Sequence, residues 1–185
     1  MNILKITNTI IGDVKVVEPK VFTDDRGFFF ESFNEALFEK LVGQRIRFVQ
    51  DNHSRSYRNV LRGLHYQLPP HSQGKLVRVV AGAVYDVAVD IRRSSKTFGQ
   101  WVGVILSADN KRQLWIPEGF AHAFLVLSDT AEFLYKTTDY WYKDLERTIH
   151  WNDSELSIQW PLQEAPILSP KDLAGSSLSM ADLFA

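Results

Sequence analysis

The chain has no cysteine among its 185 residues. Disulfides, thiolate nucleophiles and Cys-based zinc sites are thereby excluded; any metal would need His, Asp or Glu ligands, and catalysis must run on oxygen and nitrogen. An excess of one charge is also missing: 21 Lys and Arg stand against 22 Asp and Glu, a formal net charge of −1. A general field attracting nucleic acid is therefore absent, and an anion site must be a local cluster of Arg and Lys. No apolar stretch approaches the roughly 18 residues of a membrane span. The opening Met1–Ile10 mixes Asn2, Lys5 and Asn8 among its apolar residues and does not read as a signal peptide, so a soluble, cytoplasmic protein is expected. Gly-rich loops opening a helix, internal repeats, low-complexity tracts and linkers are lacking too. A single domain over residues 1–185 follows, with 45% apolar residues to build its core.

What is present is alternation. Val14–Phe22 has strand character, and Asp24-Asp25-Arg26-Gly27 is a turn leading into Phe28–Ser32, a hairpin signal. Asn34 caps a short helix over Glu35–Val42, with Ala36, Leu37, Phe38 and Leu41 at helical spacing before Gly43 stops it. Further strands are predicted at Val60–Gln67, Lys75–Val80, Val84–Ile91, Phe98–Leu106, Gln113–Ile116, Ala121–Leu127 and Glu132–Thr138, separated by turn signals at the spacing of antiparallel sandwiches and barrels. Helices for βαβ units are missing. An all-β antiparallel jelly roll with a few short peripheral helices is the expected fold. Residues 139–185 lose the alternation, gain Pro161, Pro166 and Pro170, and read as a tail wrapping the barrel, with short helices around Asp153–Leu156 and Met180–Phe184.

Strict alternation in Val60–Gln67 puts Leu61, Gly63, His65 and Gln67 on one face and Arg62 on the other, unless Gly63 marks a bulge that re-aims Arg62. The first face is polar and not bulky, as a barrel holding a ligand requires. His65 can take a proton near neutral pH, Lys75 can stabilise an oxyanion, and Tyr135 can return a proton from another direction. That combination suits enolisation. Lys75 is expected across the ladder from His65, and either Asp86 or Asp172 can orient the imidazole. Against this stand plain structural roles: a satisfied core histidine, and an aromatic wall residue for Tyr135. His53, His65 and His122 are far apart in sequence, with neither His-x-His nor His-Glu-x-x-His, so the residues give no metal motif.

Five segments taken together carry a resemblance: Phe22–Glu31, Phe48–Ser54, Val60–Gln67, Gln73–Arg78 and Trp115–His122. In order and in spacing they resemble the dTDP-4-dehydrorhamnose 3,5-epimerases, from the N-terminal strand to about Asp172. The resemblance implies a cupin-type jelly roll, a homodimer, no metal and no cofactor, and epimerisation at C3 and C5 of dTDP-4-dehydro-6-deoxyglucose. The Pro117–His122 run is shared with cupins, but Gly63 stands where the His-x-His half of their metal motif would begin. By the same resemblance His65 is the base, Asp172 its orienting partner, Tyr135 the opposing acid and Lys75 the group that stabilises the C4 enolate. Arg62, Gln50, Asn52, His122, Glu146 and Lys171 would hold sugar, phosphates or base. Arg26 and Glu31 would be donated across the dimer by an exchanged N-terminal segment within residues 1–47.

Arginine forks suit a diphosphate, and Phe28, Tyr140 and Trp141 are candidates to stack on the base. The rival readings are an epimerase of one carbon or a 3,4-ketoisomerase of a related ketosugar, a metal-dependent cupin oxygenase, and a sugar-binding module without catalysis.

Overall fold

The computed structural model describes residues 4–185. Thirteen strands, β1 to β13, occur among them: Leu4–Asn8, Lys15–Pro19, Phe22–Asp24, Gly27–Phe29, Gln50–Tyr57, Leu61–Gln67, Lys75–Ala81, Ala83–Asp90, Trp101–Ser107, Gln113–Ile116, Phe120–Val126, Thr130–Thr137 and Glu146–Thr148. Two antiparallel sheets face each other. One has the order β1-β2-β10-β7-β12-β5 and the other β13-β6-β11-β8-β9, while β3 and β4 form a separate hairpin. The eight strands β5–β12 divide between the sheets as β10-β7-β12-β5 against β6-β11-β8-β9, the double Greek key of a jelly roll.

Three apolar layers hold this arrangement. Between the sheets lie Val77, Val79, Val84, Leu106, Leu114, Phe124 and Phe133, with the rings of Phe124 and Phe133 stacked at 4.2 Å across the gap. Behind the six-stranded sheet, helix α1 (Glu35–Val42) buries Phe38 against Val17, Leu76 and Trp115. This helix is the one expected: the Asn34 side chain accepts from Leu37 N–H, and Gly43 ends it at φ 84°. Behind the five-stranded sheet, Ile149, Leu156, Ile158, Leu178 and Ala181 of the tail cover Leu64, Tyr66, Val87, Val89 and Ala121. Because each outer face has its own apolar cover, the space between the sheets is free to hold polar groups at one end.

The expected tail helices are corrected. Residues 153–156 form a turn in which Asp153 Oδ1 accepts from the Glu155 and Leu156 N–H groups; a single 3-10 turn covers Leu178–Met180, and residues 181–184 are irregular apart from a bridge of Phe184 to Arg92. A short helix, α2 (Pro170–Leu173), forms instead, with Pro at its start and Ser169 and Asp172 closing a capping box. Within the Ser-Pro-Lys-Asp run, Ser169 and one oxygen of Asp172 make the local cap, which leaves the other Asp172 oxygen and Lys171 to reach β6 and β13.

Strand β5 is an addition to the expected set. Its sequence, Gln-Asp-Asn-His-Ser-Arg-Ser-Tyr, has no apolar alternation. Register with β12 puts Gln50, Asn52, Ser54 and Ser56 on the same face as Thr137, Tyr135, Phe133 and Ala131, which is the inner face. The strand is polar because it lines a polar space.

Candidate active site

The bulge at Gly63 builds one wall. In the pairing of β6 with β11, His65 stands opposite His122 and Arg62 opposite Phe124, so three steps along β6 match two along β11. His122 and Phe124 share the inner face, and the extra residue therefore turns both His65 and Arg62 inward. Gly63 has φ 123°, and a Cβ there would lie 2.4 Å from Ala123 Cβ and 2.5 Å from the His122 carbonyl oxygen. Only glycine fits. The Arg62 guanidinium is anchored across the edge by Nε donation to Ser56 Oγ at 3.0 Å.

His65 Nε2 donates to Asp172 Oδ1 at 2.6 Å. The same oxygen accepts from Gly63 N–H at 3.1 Å, and Asp172 Oδ2 accepts from Ser169 Oγ at 2.6 Å. Burial works to raise the Asp172 carboxyl, but His65, Ser169 and Gly63 hold it down at about 2. It is therefore a fixed anion. Burial lowers the His65 imidazole, Lys171 and Lys75 lower it further, and Asp172 opposes them. On balance the ring is neutral at physiological pH, with its Nδ1 lone pair free when Nε2 carries the proton.

Asp86 does not share this imidazole. Both its oxygens sit 3.0 Å from Nε2 of His122, a second buried His–carboxylate pair beside the first. The sequence left Asp86 and Asp172 open as partners of His65; each has its own histidine.

Lys75 is a correction. It lies on β7, in the sheet opposite His65, and is not across a ladder from it. It shares its register row with Thr137 and, through β12, with Gln50. Burial lowers the Lys75 ammonium to about 8, Glu146 and Asp86 raise it, and Lys171 lowers it. Tyr135 lies two residues before Thr137 on the same inner face, between Asn52 and Val77. Burial raises its phenol, Glu146 raises it and Arg62 lowers it. Register thus puts Lys75 and Tyr135 on the inner face of one sheet, and the bulge turns His65 and Arg62 inward from the other, so the imidazole faces the ammonium and the phenol across the space between the sheets.

Glu146 opens β13 opposite Gln67, and its Oε1 accepts from Lys171 Nζ at 2.7 Å. Burial pushes its carboxyl up, but Lys171, His65 and the Trp141 indole bring it below its ordinary value. Gln50 Nε2 donates to Asn52 Oδ1 at 3.0 Å on the opposite wall.

Two residues stand apart. Arg26 is at the tip of the β3–β4 hairpin, paired with Asp24, and Glu31 accepts from the Asn34 side chain. The hairpin ring of Phe28 lies under Lys111 Nζ at 4.2 Å, at the end of β10 remote from the Lys75 row. Within one chain neither reaches the cavity. Ser56 and Ser169, which anchor Arg62 and Asp172, were not singled out in the sequence, although Ser-x-x-Asp carried the capping signal for the second. Among the described residues no cluster of three His, Asp or Glu side chains could hold a metal.

A cupin-like jelly roll whose interior sets a neutral imidazole against a phenol and an ammonium defines an acid–base isomerase. Residues 8–180 match the family described as dTDP-4-dehydrorhamnose 3,5-epimerase. The chain is 63% identical over 181 residues to the Pseudomonas aeruginosa dTDP-4-dehydrorhamnose 3,5-epimerase, covering 98% of this chain and 99% of that one. It is 62% identical over 184 residues to the Shigella flexneri enzyme of the same description, covering 100% and 99%. The crystal structure of the Legionella pneumophila dTDP-6-deoxy-D-glucose-3,5-epimerase in complex with dTDP-4-keto-L-rhamnose superposes with a TM-score of 0.94 at 58% identity, covering 97% of this chain and 95% of that one. The chain belongs to the dTDP-4-dehydrorhamnose 3,5-epimerase family.

Proposed function

We propose that this chain epimerises C3 and C5 of dTDP-4-dehydro-6-deoxyglucose with His65 as base, Tyr135 as acid and Lys75 as the cation that holds the C4 enolate. A hydrogen on carbon next to a ketone becomes removable when the conjugate oxyanion is stabilised. His65 Nδ1 takes the proton on one face of the sugar, the electron pair moves onto the C4 oxygen beside Lys75, and Tyr135 returns a proton on the other face. Exchange with solvent then takes the proton from the imidazolium and returns one to the phenolate, and the same steps at the second carbon invert both. Substrate and product have the same oxidation state, so the reaction calls for no redox cofactor. Asp172 keeps the imidazole in the tautomer with Nδ1 free. The carrying observation is the His65–Asp172 pair facing Tyr135 and Lys75 from the opposite sheet.

Arg62, Gln50, Asn52, His122, Glu146 and Lys171 are assigned to holding the sugar and diphosphate, and Tyr140 and Trp141 to stacking on the base. Arg26, Glu31 and Phe28 complete the site in a homodimer, where a second copy delivers the hairpin. That hairpin leaves Phe28 and Phe29 62% and 70% exposed, an apolar tip that suits a protein contact. The chain is taken as one cytoplasmic domain.

The test is NMR of the dTDP-ketosugar in deuterated water without added metal or nucleotide cofactor. Wild type is expected to incorporate deuterium at both C3 and C5, and His65→Ala at neither. Exchange at wild-type rate in that variant would remove His65 as the base, and labelling at one carbon alone would make the enzyme a mono-epimerase.

A further inference from the structure

The segment Asp139–Tyr142 carries three consecutive exposed or half-exposed aromatics, Tyr140, Trp141 and Tyr142, yet it belongs to neither a strand nor a helix. Its main chain is held by side chains of the cavity walls. Gln67 Nε2 donates to the Tyr140 carbonyl at 2.9 Å, Gln67 Oε1 accepts from Tyr142 N–H at 2.7 Å, and Gln50 Oε1 accepts from Trp141 N–H at 3.2 Å. The second Gln67 N–H goes to the His71 carbonyl, in the loop between β6 and β7. Every donor of this buried amide is engaged, and each bond ties one strand to one of two loops beside the cavity.

Across this gap the loops meet again. His71 stacks on Tyr142 at 3.8 Å and pairs through Nδ1 with Asp139 Oδ2 at 2.9 Å, and Gln73 Nε2 donates to the Asp139 carbonyl at 2.8 Å. Gln67 is the part of this network that lies on β6, two residues beyond His65 on the same face.

We propose that Gln67 is a positioning residue that fixes the aromatic segment 139–142 in register with the catalytic base, so that one strand sets both where the nucleotide is gripped and where the proton is removed. This rests on the part of the reading above that assigns Tyr140 and Trp141 to the nucleotide base. The amide is suited to the task because it alone offers two N–H donors to two carbonyls and an acceptor to an N–H. A carboxylate of the same shape faces both carbonyls without a proton, and a Met of the same length offers nothing to any of the three groups.

The segment touches the nucleotide end and not the reacting carbons, so its loss is expected in binding. For Gln67→Glu and Gln67→Met, KM for the dTDP-ketosugar and Kd for dTDP alone, read by calorimetry, should rise together by about 10–100-fold, as expected for unsatisfied buried polar groups. The kcat and the pattern of deuterium incorporation should stay within a few-fold of wild type. Gln73→Leu, which loosens the same segment without touching β6, should move both constants in the same direction by a smaller factor and serves if the Gln67 variants fold poorly. Unchanged dTDP affinity, or a fall in kcat with KM intact, overturns the assignment. A wild type that binds dTDP but exchanges no deuterium would instead defeat the catalytic reading and leave the positioning of the segment standing.

Discussion

Replacement of Lys75 by Met should make the protein more stable and less active at once. The ammonium is nearly fully buried, and burial lowers it from its ordinary 10.5 to about 8. That gap corresponds to about 3 kcal/mol of folding free energy that burying the charge costs. Met keeps the length and most of the apolar stem without the charge, so Lys75→Met should gain about 2–3 kcal/mol near neutral pH, or about 5–10 °C in Tm for a domain of this size. The sign with pH is fixed. The penalty is full below about 8, where the folded protein holds the charge, and vanishes as pH approaches 10.5, where the unfolded chain also loses it. Urea unfolding at a series of pH values should therefore show the two proteins converging over that interval. In the same variant kcat should fall by about 10²–10³, the effect of deleting one oxyanion donor, and wild-type kcat/KM should decline above about pH 8 as the ammonium is lost. A variant no more stable than wild type, or a stability gap that persists to pH 10.5, refutes the claim that the charge is held at a cost; an activity loss under about tenfold refutes its place beside the oxyanion.

Gly63→Ala should cost about 2–4 kcal/mol in urea unfolding and lower activity by more than about tenfold, because the added Cβ strikes Ala123 and misaligns the bulge that aims His65 and Arg62; near-wild-type stability would mean the β6–β11 approach is looser than 2.4 Å implies. Asp90 is wholly buried; burial works to raise it, yet Arg92, Ser95 and Thr97 hold its carboxyl at about 2. Asp90→Ala should lose about 3 kcal/mol at neutral pH, and since the wild-type carboxylate stabilises the fold above its ordinary 3.8 and ceases to do so toward 2, the difference should shrink on acidification through that range. A gap independent of pH down to 2 would show that the loss comes from packing alone.

The apolar, β-branched strands were legible because burial demands such residues: Gln113–Ile116 and Lys75–Ala81 meet an apolar layer on each face and begin where the apolar run begins. The strand Gln50–Tyr57 was not, since its inward face is polar and its outward face carries Asp51, His53 and Arg55, leaving no apolar period to read. The chemistry of His65, Tyr135 and Lys75 could be proposed from residue type, but which sheet each occupies could not. Lys75 follows β6 closely in sequence, and adjacency suggested a hairpin, whereas the jelly-roll topology sends β7 to the facing sheet. The partner of His65 was equally hidden. Asp86 and Asp172 both suit the role by type, and the choice depends on a register that sets Asp86 opposite Phe124, diagonal to His122, and on a capped turn 107 residues away from His65. The tail helices failed because Asp153 directs its carboxylate to the turn's own N–H groups and to Leu178, an option that propensity does not anticipate.

The wholly polar inner face of β5 has a consequence for how such a barrel can change. Its side chains carry little of the burial that keeps the molecule folded, since the stacked rings and the two outer covers supply that elsewhere. Positions 50, 52 and 54 can thus exchange one hydrogen-bonding side chain for another at small thermodynamic risk, while Ser56 stays to hold Arg62. The scaffold keeps its acid–base pair while the wall that meets the sugar hydroxyls is free to drift, and selectivity among ketosugars can diverge without the fold being put at stake.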